Sequence, residues 1–403
     1  MKVFLGAFAD AGHAFPMLAL GEGLVARGHE VALQTWDRWE AATVAAGMTY
    51  VRAPEYQVFP TDKLPLKPYA AAVRAARVTV PQIEGLAPDV VVSDVLTPAP
   101  ALAGELCGLP VATLVPHVHP ALEPGFPIYS IGARLPRTRL GAALWAPAQR
   151  RLVGKGLEQG RVEYNGCRER LGLRPLPWMH TGLSRSLTLV ATLPQLEYPR
   201  AWPSWVRVVG PLMWEPPAAG VDPPAGDGPV VLVAPSTAQD EEHRLLRAAL
   251  SGLDGEPVRV IATWNGREPT EPLPAPRNAV VVPWLSYSKT MPRCDLVVCH
   301  GGHGTLVRAL TSGCPVVVSP AVGDMAENAA RADWAGLGVR LPRRYCSPRA
   351  VRLAVQRALS SPRLRARARE VAAWAATHDA RETAAIELER WAERVTRAPA
   401  PRA

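Results

Sequence analysis

The chain has 403 residues, 48% hydrophobic and 20% charged. That composition excludes a disordered or fibrous protein, and the length exceeds what one core usually supports, so two domains of roughly 200 residues are expected. No run reaches the ~18 apolar residues of a membrane span and MKVFLGAF carries no basic leader, so neither a membrane span nor export is expected and the localisation expected is cytoplasmic. The net charge of +9 rests on arginine, because only Lys2, Lys63, Lys67, Lys155 and Lys289 among the 45 basic residues are lysines. Such a balance suits an anionic small-molecule partner. Nucleic acid would suit it too, but no RNA- or DNA-binding motif accompanies the charge, so none is expected. The cysteines 107, 167, 294, 299, 314 and 346 form no CxxC pair and no zinc-spaced cluster, so they read as reduced thiols and no metal site is expected. Proline, at 42 residues, is about twice its usual share, and the Ala/Arg/Pro bias reads as genome composition.

In chain order, VFLGAF and HEVALQ read as buried strands around an Ala/Leu-rich helix, MLALGEGLVARG, that stops at Gly28. DVVVSD and PVATLVP repeat the rhythm around APALAGELCG. Strands alternating with helices imply a parallel, doubly wound α/β sheet. From Pro116 to about Leu176 the pattern loosens into Pro/Gly-rich loops and an amphipathic helix near LWAPAQRRLVGKGLEQGRVEYNGCRERLG. That region, with 55–81, is where ligand-binding loops are expected. LTLVATLP and VRVVGPLMW close a first domain at 1–212, and the Pro/Gly/acidic stretch 213–229 reads as a linker. The rhythm restarts at VVLVAP and runs through VRVIATW and AVVVPW, giving a second Rossmann-like domain over 230–395 whose last helix, AAIELERWAERV, is long enough to cross back to the first.

Within that domain DLVVCHGGHGT, from Asp295 to Thr305, is an apolar run that ends in a glycine-rich loop and passes directly into a helix. Such a turn aims backbone N–H groups and a positive helix end at one spot, which suits a phosphate; tight packing alone can also require it. Trp284 lies upstream as a surface for a nucleobase, with core packing as its alternative, and Asp324 lies downstream as a hydroxyl-binding carboxylate.

The opening GAFADAGHAFPMLALGEGLVARGHEV, with the segment from Trp284 to Asn328, resembles the GT-B glycosyltransferases, in the family holding plant secondary-metabolite and bacterial antibiotic and macrolide enzymes. The resemblance covers nearly the whole chain. It implies two Rossmann-like domains facing across a cleft, and inverting, metal-independent transfer from a UDP- or TDP-sugar that serves as co-substrate, with no cofactor. The acceptor implied is a small molecule, aromatic or polyketide-like, glycosylated on a hydroxyl or an aromatic carbon, by a monomer or homodimer.

In an open parallel sheet ligands bind beyond the carboxyl ends of the strands, and His13, in the loop after the first strand, and Asp94, at the end of DVVVSD, point at that same rim. A neutral imidazole is a usable base near neutral pH, and a carboxylate on its other nitrogen fixes the tautomer. The resemblance makes this pair the catalytic dyad; the alternatives are a structural His and a helix-capping Asp. His29, in RGHEV, reads as a structural residue meeting helix-end carbonyls. On the donor side the resemblance assigns the diphosphate to His300 and to Gly302, His303, Gly304 and Thr305. Ser236 and Thr237 match a hydroxyl-bearing phosphate loop, or else cap the following helix. Asn328 matches a phosphate-side Asn, with Glu327 and Asn328 facing solvent as the alternative. Two positions depart from the family: Ser286-Tyr287 replace Pro-Gln, and Met325 replaces a sugar-binding Gln. Methionine forms no strong hydrogen bond, so the sugar subsite at Asp324 and Met325 points to a less hydroxylated deoxysugar or a tolerant site. A nucleotide-sugar epimerase of the same architecture, and a non-catalytic auxiliary protein of a glycosyltransferase, are the competing readings.

Overall fold

The computed structural model describes residues 1–7, 10–54, 70–121, 123–236, 239–240, 242–321 and 323–397. Seven parallel strands form the first sheet: β1 (Lys2–Gly6), β2 (Glu30–Thr35), β3 (Thr49–Arg52), β4 (Val90–Asp94), β5 (Val111–Val115), β6 (Thr188–Val190) and β7 (Val206–Val208), in the order β3-β2-β1-β4-β5-β6-β7. Six parallel strands form the second: β8 (Val230–Ala234), β9 (Arg259–Thr263), β10 (Ala279–Val282), β11 (Leu296–Cys299), β12 (Val316–Val318) and β13 (Gly338–Arg340), in the order β10-β9-β8-β11-β12-β13. The central strands are valine-rich and buried on both faces, as helices packed on either side of a parallel sheet require.

In each sheet the strand order reverses once, between β1 and β4 and between β8 and β11. These are the points where an open α/β sheet leaves a crevice. Gly6 pairs with Ser93 and Cys299 with Ala234, so the strand ends at each reversal are level. Residues that follow them emerge side by side.

The final helix, Ala380–Arg397, leaves the second domain and packs on the first. Its Ala384, Leu388 and Trp391 join Leu18, Leu20 and Leu24 in the core of the first sheet, and the Trp391 indole N–H donates to Ser186 Oγ at 2.7 Å. Arg27 places two N–H bonds on the Glu389 carboxylate, at 2.7 and 2.8 Å, and His29 Nε2 lies 2.7 Å from the same group. His29 therefore serves structure, but its partner is that carboxylate and not a helix-end carbonyl. The segment 139–170 holds two helices, Arg139–Leu152 and Gly154–Arg170, where a single one was expected. Within 55–81, residues 70–81 belong to the helix Ala70–Leu86; residues 55–69 lie outside the described part. All six cysteines are free thiols.

Candidate active site

The two sheet reversals face each other across a cavity of about 390 Å³. Its lining includes His13 and His117 from the first domain, Trp214 and Glu215 from the connecting segment, and Trp284, His300, Gly302 to Thr305, Asp324 and Met325 from the second.

His13 stands in the first turn of the helix Ala11–Ala26, not in a loop before it. Asp10 makes this so: its carboxylate accepts the Gly12 N–H at 2.9 Å and caps the helix there. His13 Nδ1 donates to Asp94 Oδ2 at 2.9 Å, and Asp94 is fully buried at the end of β4. The other Asp94 oxygen accepts the Leu96 N–H at 2.8 Å, so a single carboxylate secures the turn and orients the imidazole. With Nδ1 committed, Nε2 is the basic nitrogen. Burial disfavours the imidazolium, but the Asp94 carboxylate, with Asp10 and Asp324 behind it, outweighs burial and raises the His13 pKa above 6.5.

On the facing wall β11 ends at Cys299 and the helix His303–Thr311 begins with Gly302 as its cap. The first helical bond runs from the Leu306 N–H to the Gly302 carbonyl, which leaves the N–H groups of His303, Gly304 and Thr305 outside the helical ladder and at the cavity. Gly301 turns the chain with φ +88°, and a Cβ there would lie 2.9 Å from the Met325 carbonyl oxygen. His300 Nδ1 donates to the Ala234 carbonyl at 3.2 Å, tying this loop to the end of β8. Its imidazole packs over Gly302, where a side chain would overlap Nε2. Burial lowers the His300 pKa, and burial holds His303 at about 3, so both are neutral near pH 7.

Trp284 lines the cavity and is 40% exposed, with its ring available from the cleft. Ser236 lines it too, but its hydroxyl accepts the Gln239 N–H at 2.9 Å, while the next helix starts only at Arg244. Ser236 thus secures a turn and is not a helix cap; Thr237 lies outside the described residues. Asp324 and Met325 open the helix Met325–Trp334 and both reach the cavity. Asn328 does not line it. It is fully buried, and its amide donates to the Gly301 carbonyl at 2.9 Å, so it shapes the glycine loop from behind. Glu327 is buried as well, bonded to Arg331 at 2.8 Å, so neither residue faces solvent. Ser286 is buried with its hydroxyl on Glu215 at 2.6 Å, whereas Tyr287 reaches the cavity and donates to Asn265 at 2.9 Å.

Three contributors carry no motif. His117 follows β5, lies 6.4 Å ring to ring from His13, and is kept neutral by burial. Trp214 and Glu215 come from the stretch read as a plain linker. Only His117 had a legible signal, a histidine two residues beyond an apolar strand.

Comparison with known proteins accords with this architecture. Residues 244–389 match the erythromycin biosynthesis protein CIII-like C-terminal domain. The chain is 29% identical to the 4'-demethylrebeccamycin synthase of Lentzea aerocolonigenes over 91% of its own length and 94% of that protein. It is 28% identical to the O-mycaminosyltylonolide 6-deoxyallosyltransferase of Streptomyces fradiae over the full length of both. Among solved structures, the calicheamicin glycosyltransferase CalG4 superposes with a TM-score of 0.75 over 99% of this chain and 100% of its own, at 24% identity. Paired Rossmann-like domains with this cleft make the GT-B fold. The chain is a sugar-transferring enzyme of that fold, a glycosyltransferase akin to the bacterial antibiotic enzymes, and its second domain is EryCIII-like. No described helix is long and apolar enough to cross a membrane.

Proposed function

We propose that the enzyme moves a sugar from a UDP- or TDP-sugar to a hydroxyl of a small-molecule natural product, with inversion and without a metal ion. The observation that carries this reading is the 2.9 Å His13–Asp94 pair facing, across one cavity, the open N–H groups of residues 303–305. The acceptor hydroxyl gives its proton to His13 Nε2 while its oxygen attacks the anomeric carbon from the face opposite the diphosphate. Asp94 stabilises the imidazolium that forms. Charge growing on the leaving diphosphate is met by the helix start at 303–305 and by His300. Trp284 stacks the base, and Asp324 receives sugar hydroxyls. Met325 beside it offers no strong hydrogen bond, which favours a deoxysugar.

Calorimetric titration of UDP and TDP into the metal-free protein tests the donor site, with micromolar binding of one of them expected. Failure of both to bind a folded protein overturns the reading. An NMR assay of the product anomer with a chelator present then tests inversion and metal independence. A retained configuration, or activity only after Mg²⁺ is added, would contradict them.

A further inference from the structure

The relative placement of the two walls of the cavity is held by a buried cluster that the proposed chemistry does not use. Glu197 follows β6 in the first domain and is buried. One of its carboxylate oxygens accepts the His119 N–H at 2.6 Å, in the loop that carries His117. The other accepts Arg331 Nη1 at 2.8 Å, from the helix that opens at Asp324. Arg331 is 2% exposed; its Nε donates to Glu327 at 2.8 Å and its Nη1 also to the Leu196 carbonyl at 3.1 Å. Its guanidinium lies 4.3 Å from the centroid of the Tyr198 ring, and Tyr198 meets Trp334 of the same helix edge-on at 5.0 Å. Arg200 Nη2 lies 3.6 Å from the Glu197 oxygen that Arg331 holds. The same helix carries Asn328, whose amide fixes the Gly301 carbonyl and so the donor loop.

We infer that Glu197 and Arg331 are positioning residues for sugar transfer, setting the distance between the His117 loop with the dyad and the donor loop with Asp324. A buried carboxylate that bridges two domains has one good geometry, because losing the Arg331 bond separates two charges and losing the His119 bond leaves a buried N–H unpaired in a low-dielectric site. Reacting groups held on separate domains need such a constraint, since misplacement by about 1 Å costs roughly 100-fold in rate. The contacts proposed for the nucleotide, Trp284, His300 and the 303–305 N–H groups, all lie in the second domain and do not pass through Glu197. Nucleotide binding and transfer therefore separate.

This inference rests on the donor-site reading, and nucleotide binding by the unaltered enzyme tests that reading independently. Glu197→Asp, whose shorter side chain cannot span both partners, is expected to keep UDP or TDP affinity within about twofold while kcat falls roughly 10- to 100-fold. Hydrolysis of the donor should gain on transfer. Arg331→Lys, which keeps the charge and one bond, should recover part of kcat relative to Arg331→Met. Because Arg331→Met takes the Arg331 charge from two buried carboxylates, Glu197→Gln/Glu327→Gln/Arg331→Met removes these three charges together, leaving Arg200 of the cluster in place, and serves where the single variant does not fold. Variants with lowered melting temperature but unchanged kcat and an unchanged ratio of hydrolysis to transfer would reduce the cluster to a structural support and overturn the inference. Equal loss of nucleotide affinity and kcat would overturn it as well.

Discussion

His13 sits where two opposing effects meet, and its neighbours decide the outcome. Burial would lower its pKa, but Asp94, Asp10 and Asp324 raise it above 6.5. The pairing contributes stability that is complete below the unfolded value and is lost as pH rises through the folded one. Catalysis by His13 as the proposed base would run the other way, because the base form appears only above the folded pKa. The rate should therefore rise with pH along a limb centred above 6.5. Asp94→Asn removes the largest raising influence, so the limb in a kcat/KM–pH profile should move to lower pH while its plateau falls by roughly 100-fold or more. His13→Ala should abolish transfer to a hydroxyl and leave nucleotide binding intact; equal loss of both would make His13 structural. His300 is the counterpart on the donor side. Its Nδ1–H is spent on Ala234, so Nε2 can donate to a phosphate oxygen only in the imidazolium form. Burial disfavours that form in the free enzyme, and a diphosphate bound as proposed would favour it. Nucleotide-sugar binding should take up a proton near pH 7 and weaken as pH rises, which calorimetry in buffers of different ionisation enthalpy measures.

At the scale of the element, the helix His303–Thr311 is useful because its first turn is bare. The reason is steric and local: Gly302 admits the His300 ring, and Gly301 takes the left-handed turn that brings the chain round. Gly302→Ala would push the imidazole away and should weaken nucleotide-sugar binding by roughly tenfold or more with little change in melting temperature. Gly301→Ala adds backbone strain, so both affinity and stability should fall. Asn328 shows how an element can mislead. Its place at the head of the next helix suits a phosphate contact, but the helix rotates it inward, where the Gly301 carbonyl takes its amide.

For the whole molecule, the final helix matters as much as either sheet. Trp391 is 1% exposed within the core of the domain at the other end of the chain. Trp391→Ala should cost about 3–5 kcal/mol, read from chemical denaturation, because it opens a cavity in that core. The polar seam of this helix titrates. Arg27 bonding, followed by His29, holds the Glu389 carboxyl at about 2. Its contribution is present above the ordinary glutamate range and lost as pH falls toward that value. Docking of 380–397, followed by hydrogen exchange, should loosen progressively below about pH 4.5.

What the sequence by itself determined is what local physics controls. Valine runs between helix formers specify buried parallel strands, and a strand that ends in HGGHGT and enters a helix specifies a bare helix start. Parallel topology then places His13, Asp94 and His300 at strand ends before any coordinate is known. Tertiary structure decided the rest, because it depends on which distant groups meet. Asn328 and Glu327 turn inward because the Gly301 carbonyl and Arg331 wait there. Ser236 secures a turn because its helix starts later. Trp214 and Glu215 join the cavity because the connecting segment runs along it, and His29 finds Glu389 because the last helix returns across 360 residues. Buried polar groups must be paired wherever a partner lies in space, and sequence separation carries no record of that.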